Sequence, residues 1–341
     1  MATVTLKDVA RVAGVHYSTA SRALDPAKRS LVNAATAAHV QEVAEQLGYR
    51  QHLVARSLRQ GRTNTIGIVV PDLDNPSWAP VLHGLTSVLD ESGYLILVSE
   101  TLEDHRRYRR LLEKLAAWRV DAIISAATRL SDAAYLRDFA RSGVPLLLAV
   151  RTLPTHEFIN IGEDSMQGGA LAAEHLVQLG HRVVAQLQGN LDVQLFRERS
   201  RGFTDEAGRH GMAVIDFPHT AEAPTHEEGR RLMNLLLDHA GGEFTAVFAH
   251  NDQMAVAAMD VLVERGLRCP EDLSIMGYND SPLVDHMCPP LSTIRLPGTE
   301  VGMLAGESVI GLLERAELPP ASVSVPPQLV ARDSTAAPRG G

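Results

Sequence analysis

The chain has 341 residues, a formal charge of −9, 45% hydrophobic residues and 4% aromatic ones. That length exceeds one ordinary core, so two or three domains are expected, and the hydrophobic content excludes a disordered chain. Cys269 and Cys288 have neither disulfide-framework nor metal-site spacing, MATVTLKDVA lacks the apolar core of a secretory signal, and no apolar run nears the roughly 20 residues of a membrane span. The expectation is a soluble, cytoplasmic protein with no metal, no cofactor and no membrane partner.

Charge is uneven along the chain. Residues 1–62 hold nine Lys and Arg against four Asp and Glu, and the remainder holds 23 against 37. A basic head on an acidic body is the pattern of a nucleic-acid module joined to something else, with chance surface variation as the alternative. Thr5 and Asp8 form a capping-box pattern, and Leu6, Val9, Ala10 and Ala13 fall on one helical face. Gly14 permits a sharp turn. A second helix over Tyr17 to Leu24 turns Ala20, Ala23 and Leu24 inward and Tyr17, Ser18, Ser21 and Arg22 outward. Small residues at Ala10 and Ala20 let two short helices cross closely, as in a helix-turn-helix, whose second helix enters a major groove. Arg reads guanine in bidentate fashion, and Ser and Tyr reach phosphates or base edges. A plain helical hairpin has the same pattern. A third helix, about Ala34 to Leu47, carries Val40, Val43, Ala44 and Leu47 and ends at Gly48. The segment after it places Arg50, Arg56, Arg59 and Arg62 around Leu53, Val54, Ala55 and Leu58, too short for a stable isolated helix.

From Ile66, apolar runs alternate with helical patterns: IGIVV, YLILVS, DAIISA, PLLLAV, VVAQLQG, MAVIDF, TAVFAH and LSIMGY. This indicates parallel sheets covered on both faces, in two α/β subdomains side by side. No G-x-G-x-x-G, P-loop, G-x-S-x-G or H-E-x-x-H occurs, so no catalytic residue is expected. Gly168-Gly169 is at best a weak phosphate-loop signal, and His181 reads as a surface residue. Open parallel sheets bind ligands at the carboxyl ends of their strands. Those ends supply Asn75, Ser77 and Trp78; Asp164; Asp192, Gln194, Arg197 and Arg199; Asn251 and Asp252; Asn279 and Asp280. An aromatic plate, carboxylates, amides and an Arg fork suit polyol recognition. For Asp164 and Asp252, capping of the following helix is the competing role.

DVARVAGVHYSTASRAL, followed by LGYRQHLVARSLRQGRTNTIGIVVPDLDNP, resembles the lactose-repressor (LacI) family of bacterial transcription regulators, and the resemblance covers essentially the whole chain. It implies an α/β protein with an N-terminal all-α helix-turn-helix headpiece (1–49), a hinge helix or linker (50–63) and an effector-binding and dimerisation domain (64–335). The last is a periplasmic-binding-protein-like core of two parallel-sheet α/β subdomains, about 64–164 with 296–323 and about 165–293 with 324–335. The terminal LPPASVSVPPQLVARDST is similar to the family's last strand, on the second subdomain.

By the resemblance, Tyr17, Ser18 and Arg22 match base-reading positions, Thr19 and Ser21 phosphate positions, and Ala55 and Leu58 hinge residues that enter the minor groove. Arg199 matches the effector-clamping Arg. Asn251 and Asp280 match hydrogen-bonding residues, and Ser77 and Trp78 the pair bordering the sugar. With Asp164 and Asp252 these form the expected effector site, in which Arg199 and Asp280 face each other and Trp78 closes one side. Departures are His16 at the recognition-helix cap, a longer loop after Leu24, Gln51-His52 after the tyrosine, Ala37 in place of a common Arg, Val150 and Asn279. AAPRGG after Thr335 carries no heptad tail, which favours a homodimer. The implied function is a repressor that binds a palindromic double-stranded operator under control of a small-molecule effector, a sugar or sugar derivative. The alternatives are a solute-binding protein of a sugar uptake system and a sugar-acting α/β enzyme.

Overall fold

The structure is a computed structural model that describes residues 4–25, 28–49, 62–314 and 322–339. Ala55 and Leu58 lie outside the described residues. The chain divides into two units, Met1–Thr63 and Asn64–Gly341.

The first unit holds helices α1 (Leu6–Val12), α2 (Tyr17–Ala23) and α3 (Ala34–Gln46). Asp8 Oδ2 accepts from the Thr5 amide at 3.0 Å and the Thr5 hydroxyl at 2.7 Å, which satisfies groups that a helix start leaves unpaired. Gly14, at φ +64°, makes the turn between α1 and α2. His16 does cap α2: its Nδ1 accepts from the Ser18 amide at 3.3 Å. Asn33 caps α3 through Oδ1 and the Ala35 amide, 2.9 Å apart. The apolar stripes of the three helices meet in one small core of Leu6, Val9, Ala20, Ala23, Val40 and Val43. Ala37, at the position of the common Arg, is buried there.

The second unit holds two parallel sheets. The first lobe runs β1 (Thr65–Val70), α4 (Trp78–Glu91), β2 (Leu95–Glu100), α5 (His105–Ala117), β3 (Ala122–Ser125), α6 (Ala133–Ala140), β4 (Leu146–Ala149) and β5 (Ile159–Glu163). The second runs α7 (Ser165–Gln178), β6 (Val183–Leu187), α8 (Gln194–Arg209), β7 (Ala213–Val214), α9 (His226–Ala240), β8 (Ala246–Ala249), α10 (Asp252–Glu264), β9 (Ser274–Met276) and β10 (Thr293–Arg295). The chain then returns through α11 (Gly298–Glu314) to β11 (Ser322–Val325) and β12 (Gln328–Val330). Strand orders are β11-β5-β4-β3-β1-β2 and β7-β6-β8-β9.

Both sheets are covered on both faces, as continuous apolar strands require. In β1, Ile66, Ile68 and Val70 enter one core and Val69 the other. In β8, Val247 and Ala249 enter one and Ala246 and Phe248 the other. The terminal segment differs from the single second-lobe strand expected. β11 pairs parallel with β5 of the first sheet, Ser324 and Val325 lying opposite Gly162 and Glu163, and β12 pairs antiparallel with β10. Pro326-Pro327 separates them, and proline ends ladder pairing. His181 is buried, with Nδ1 at 2.7 Å from the Thr245 hydroxyl, and so is not a surface residue.

Gly168 and Gly169 do not form a phosphate loop. They lie inside α7 where it crosses α8 and meets Tyr278. A methyl on Gly169 would land on the Arg199 carbonyl oxygen, and one on Gly202 on the Met166 carbonyl oxygen. Each Gly→Ala change should therefore lower unfolding stability by at least the ~1–3 kcal/mol of ordinary overpacking. Gly208→Ala on α8, with open space around it, should be stabilising by roughly 0.4–1 kcal/mol. Urea unfolding of the three variants tests this; Gly169→Ala as stable as Gly208→Ala would remove the close crossing.

Candidate functional site

In the first unit, α2 buries Ala20 and Ala23 and turns its other side outward. Tyr17 and Arg22 are exposed there, with Ser18, Thr19 and Ser21 half-buried. The Ser18 hydroxyl lies 2.8 Å from His16 Nδ1, so the capping histidine also orients it.

In the second unit, a cleft opens between the lobes at the carboxyl ends of both sheets. Asp72, Asn75, Ser77, Trp78, Glu103, Val150, Arg151 and Glu163 line the first-lobe side; Phe196, Arg199, Asn251 and Asn279 line the second. Asn75 Oδ1 accepts from the Ser77 amide (3.1 Å) and hydroxyl (2.8 Å), forming the turn that delivers Trp78 to the cleft at the start of α4. Asn251 caps α10 through the Met254 amide (2.9 Å) and donates to the Pro224 carbonyl (2.6 Å).

Arg199 is 2% exposed and already engaged. Its Nη2 donates to Glu163 Oε1 at 2.6 Å and its Nη1 to the His250 carbonyl oxygen. Its guanidinium carbon sits 3.3 Å over the Tyr278 ring, a cation–π arrangement. Tyr278 donates to Glu163 Oε2 at 2.9 Å, and Ser165 donates to Oε1 at 2.8 Å. Arg199 Nε has no hydrogen-bond partner among the described residues. Burial, then the Glu163 charge, pushes the Tyr278 hydroxyl well above its ordinary range. Burial, then Arg199, pushes His250 well below its own.

Ser77, Trp78, Arg199 and Asn251 thus come together, while Asp164, Asp252 and Asp280 do not line the cleft. Asp164 caps α7, its Oδ1 accepting from the Gln167 amide at 2.8 Å. Asp252 is buried and accepts from the Ser281 amide and the Thr293 hydroxyl, both at 2.7 Å. Asp280 does not face Arg199; Arg295 and Arg332 hold it, each at 2.7 Å. Asp192, at the rim, accepts from the Ser131 amide (3.1 Å) and hydroxyl (2.5 Å) and so ties one lobe to the other. Glu103, Arg151, Glu163 and Phe196 are lining residues that the sequence reading missed. The strand-end rule applied to β2 and β4 finds the first two. Burial alone would raise Glu103, but Arg151, by charge and hydrogen bonds, and then Arg129 outweigh it and hold the carboxyl below its ordinary range.

A helix-turn-helix unit with its second helix outward, joined to a two-lobed α/β body with a polar, aromatic-walled cleft, defines a ligand-binding DNA regulator. Residues 5–51 match the family of bacterial regulatory proteins, lacI family, and residues 173–335 a periplasmic binding protein-like domain. The HTH-type transcriptional regulator GalR of Escherichia coli (strain K12) is 31% identical over 334 residues, 98% of this chain and 96% of its own. The lac repressor dimer solved with operator and the anti-inducer ONPF is 27% identical, with a TM-score of 0.85 over 98% of this chain and 100% of that one. The transcriptional regulator CelR in complex with cellobiose is 27% identical, with a TM-score of 0.73 over 97% of this chain and 99% of that one. The chain belongs to the lacI family of bacterial regulatory proteins and is a sequence-specific DNA-binding transcriptional regulator. These relatives are regulators, not uptake proteins, and that alternative is set aside. No described helix is long and apolar enough to cross a membrane.

Two outcomes follow from the buried carboxylates. Arg199→Ala leaves Glu163 buried without its cation, so stability should fall by about 3–5 kcal/mol in urea unfolding; a loss near zero would mean that the pair does not hold the lobes. Burial pushes Asp252 up to about 6 from its ordinary 3.8. Folding therefore favours its protonated form: that stabilisation is complete below 3.8 and is lost as pH rises to about 6. Asp252→Asn should gain on the wild type between about pH 3.5 and 7. Urea midpoints across that range decide; a difference independent of pH would mean that Asp252 is ionised throughout.

Proposed function

We propose that this regulator is a repressor that binds a palindromic operator as a homodimer, with its DNA affinity set by a sugar or sugar derivative in the cleft. The cleft carries this reading: indole and phenyl walls from Trp78 and Phe196 flank amides and carboxylates. The cellobiose bound by CelR is consistent with it. Ser77, Trp78, Arg199 and Asn251 contact the effector in this proposal. Asp164 and Asp252, assigned from the strand ends, and Asp280, assigned by resemblance, support the frame around it. The described lining offers one hydroxyl, Ser77, engaged by Asn75, and no imidazole, thiol or amine. That composition favours binding over catalysis, so no catalytic residue is assigned.

On DNA, Tyr17, Ser18 and Arg22 read base edges, and Thr19 and Ser21 approach phosphates. Ala55 and Leu58, outside the described residues, enter the minor groove by the resemblance. A leucine there partly unstacks a base step and bends the duplex, at a cost of a few kcal/mol that added contacts offset. A second copy fits the edge strand β2, where Leu95 and Val98 are exposed. The proposed domain division is 1–49, 50–63 and 64–335. An effector that prefers one arrangement of the lobes and an operator that prefers one spacing of the heads are thereby coupled. A coupling of about 1–3 kcal/mol changes operator affinity 5- to 150-fold.

Arg22→Ala should cost about 1–3 kcal/mol on the operator and relax preference at one symmetric base position, with random DNA little affected. Gel shifts at fixed salt measure both, because the phosphate contribution varies steeply with salt. Equal losses on operator and random DNA would make Arg22 a phosphate contact.

A further inference from the structure

Two guanidinium groups and three carboxylates face the cleft. Arg199 is matched by Glu163. On the opposite wall, Arg151 makes a two-pronged pair with Glu103, Nη1 to Oε2 at 2.9 Å and Nη2 to Oε1 at 2.6 Å. Arg151 is 4% exposed. Arg129 steadies the pair from behind, donating to the Glu103 carbonyl oxygen at 2.7 Å and reaching Oε2 at 3.4 Å. Glu103 and Val150 sit at φ 56° and 62°, which side-chain-bearing residues keep only where the surroundings fix them. The pair is thus presented from held backbone on both strand ends. The third carboxylate, Asp72, accepts the Asp74 amide at 2.8 Å. Burial, and then the acidic groups Asp74, Glu100 and Glu103 around it, raise its pKa.

We infer that the effector is uncharged, and that Glu103 and Arg151 are the first-lobe residues that distinguish it from anionic relatives of the same sugar. This rests on the cleft being the effector site. A phosphate or carboxylate is held most strongly by a guanidinium or ammonium whose charge is not already neutralised. Here each lining guanidinium faces a carboxylate, and Asp72 leaves the described lining with one acid in excess. In a half-enclosed site, repulsion of an incoming anion is poorly screened. A hydroxyl needs only a donor or an acceptor. The Glu103–Arg151 plane supplies both kinds in a fixed fork.

The test uses the full chain and its tryptophan fluorescence, since Trp78 lines the cleft. The probes are neutral mono- and disaccharides, each paired with its phosphate ester or uronic acid. The wild type should bind a neutral member and bind its anionic counterpart at least about 10-fold more weakly, the loss expected for one unfavourable charged contact. Glu103→Gln releases the Arg151 charge. It should weaken the neutral sugar roughly 10- to 100-fold and strengthen the anionic counterpart, reversing the preference. If Glu103→Gln does not fold, the double variant Glu103→Gln/Arg151→Gln removes both charges; it should lose the neutral sugar without gaining the anion. An anion bound by the wild type as tightly as its neutral partner, no neutral sugar bound, or an unchanged preference in a folded Glu103→Gln each overturns the inference, as does an anion gained by the double variant. Operator gel shifts are read separately. Intact operator recognition with an anionic effector overturns the charge assignment alone, whereas loss of operator recognition overturns the repressor reading.

Discussion

Glu163 sits where the chain leaves the first sheet for the second lobe, and its carboxylate serves three donors from that lobe: Arg199, Tyr278 and Ser165. All three are buried. Desolvating such an ion pair is expensive, and it persists only where its remaining lone pairs and protons are satisfied. Here both carboxylate oxygens are, the guanidinium face is covered by the Tyr278 ring, and only the Nε proton of Arg199 is left without a partner among the described residues. The arrangement fixes the floor of the cleft and joins two sheets that share no strand pairing with each other.

Backbone packing makes that pair possible. Gly169 in α7 and Gly202 in α8 let the two helices touch backbone to backbone, and Arg199 lies on α8 within that contact. Gly168 leaves room for the Tyr278 hydroxyl, which then reaches Glu163. Three glycines that carry no chemistry therefore place the arginine and phenol that do. Asp252 holds the loop behind the cleft from the other side, joining the Ser281 amide to the Thr293 hydroxyl.

The architecture was legible because its signals are local and repeated. Apolar runs with no polar alternation specify strands buried on both faces, and the cores divide residue by residue as that rule requires. Thr5 with Asp8, and Gly14, act within a few residues of themselves, so sequence sufficed. The site was legible only in part. Asn75, Ser77 and Trp78 are carried by one turn, and Arg199 and Asn251 by helix starts after strands. Asp164, Asp252 and Asp280 also follow strands, yet their oxygens are taken by an amide, a loop and two arginines. A carboxylate at a strand end has the same sequence signature whether it meets a ligand or its own backbone. Glu103 and Arg151 are 48 residues apart, and only the strand order β4-β3-β1-β2 in the first sheet places the ends of β2 and β4 on the same edge of the cleft. The terminal segment divided between two sheets because a Pro-Pro step interrupts pairing, which strand propensity alone does not reveal.

The ties between the lobes bear on how a ligand in the cleft is able to act. Besides Glu163, the Asp192 carboxylate holds Ser131, and the Leu130 amide donates to the Asp192 carbonyl at 2.7 Å. These rim contacts are exposed and exchange readily with water, so each contributes little alone. The buried floor holds the lobes together; the rim permits small rotations about it. In the proposed site, an effector between Trp78 and Arg199 would bind walls that are largely in place, with little of its binding energy spent on ordering them. The same preorganisation limits its influence, because a ligand shifts an equilibrium only by its difference in affinity for the two arrangements. For the proposed effector, this floor favours strong binding with a modest change in lobe angle. In the proposed regulator, the exposed rim ties are then the contacts in which two arrangements of the lobes would differ.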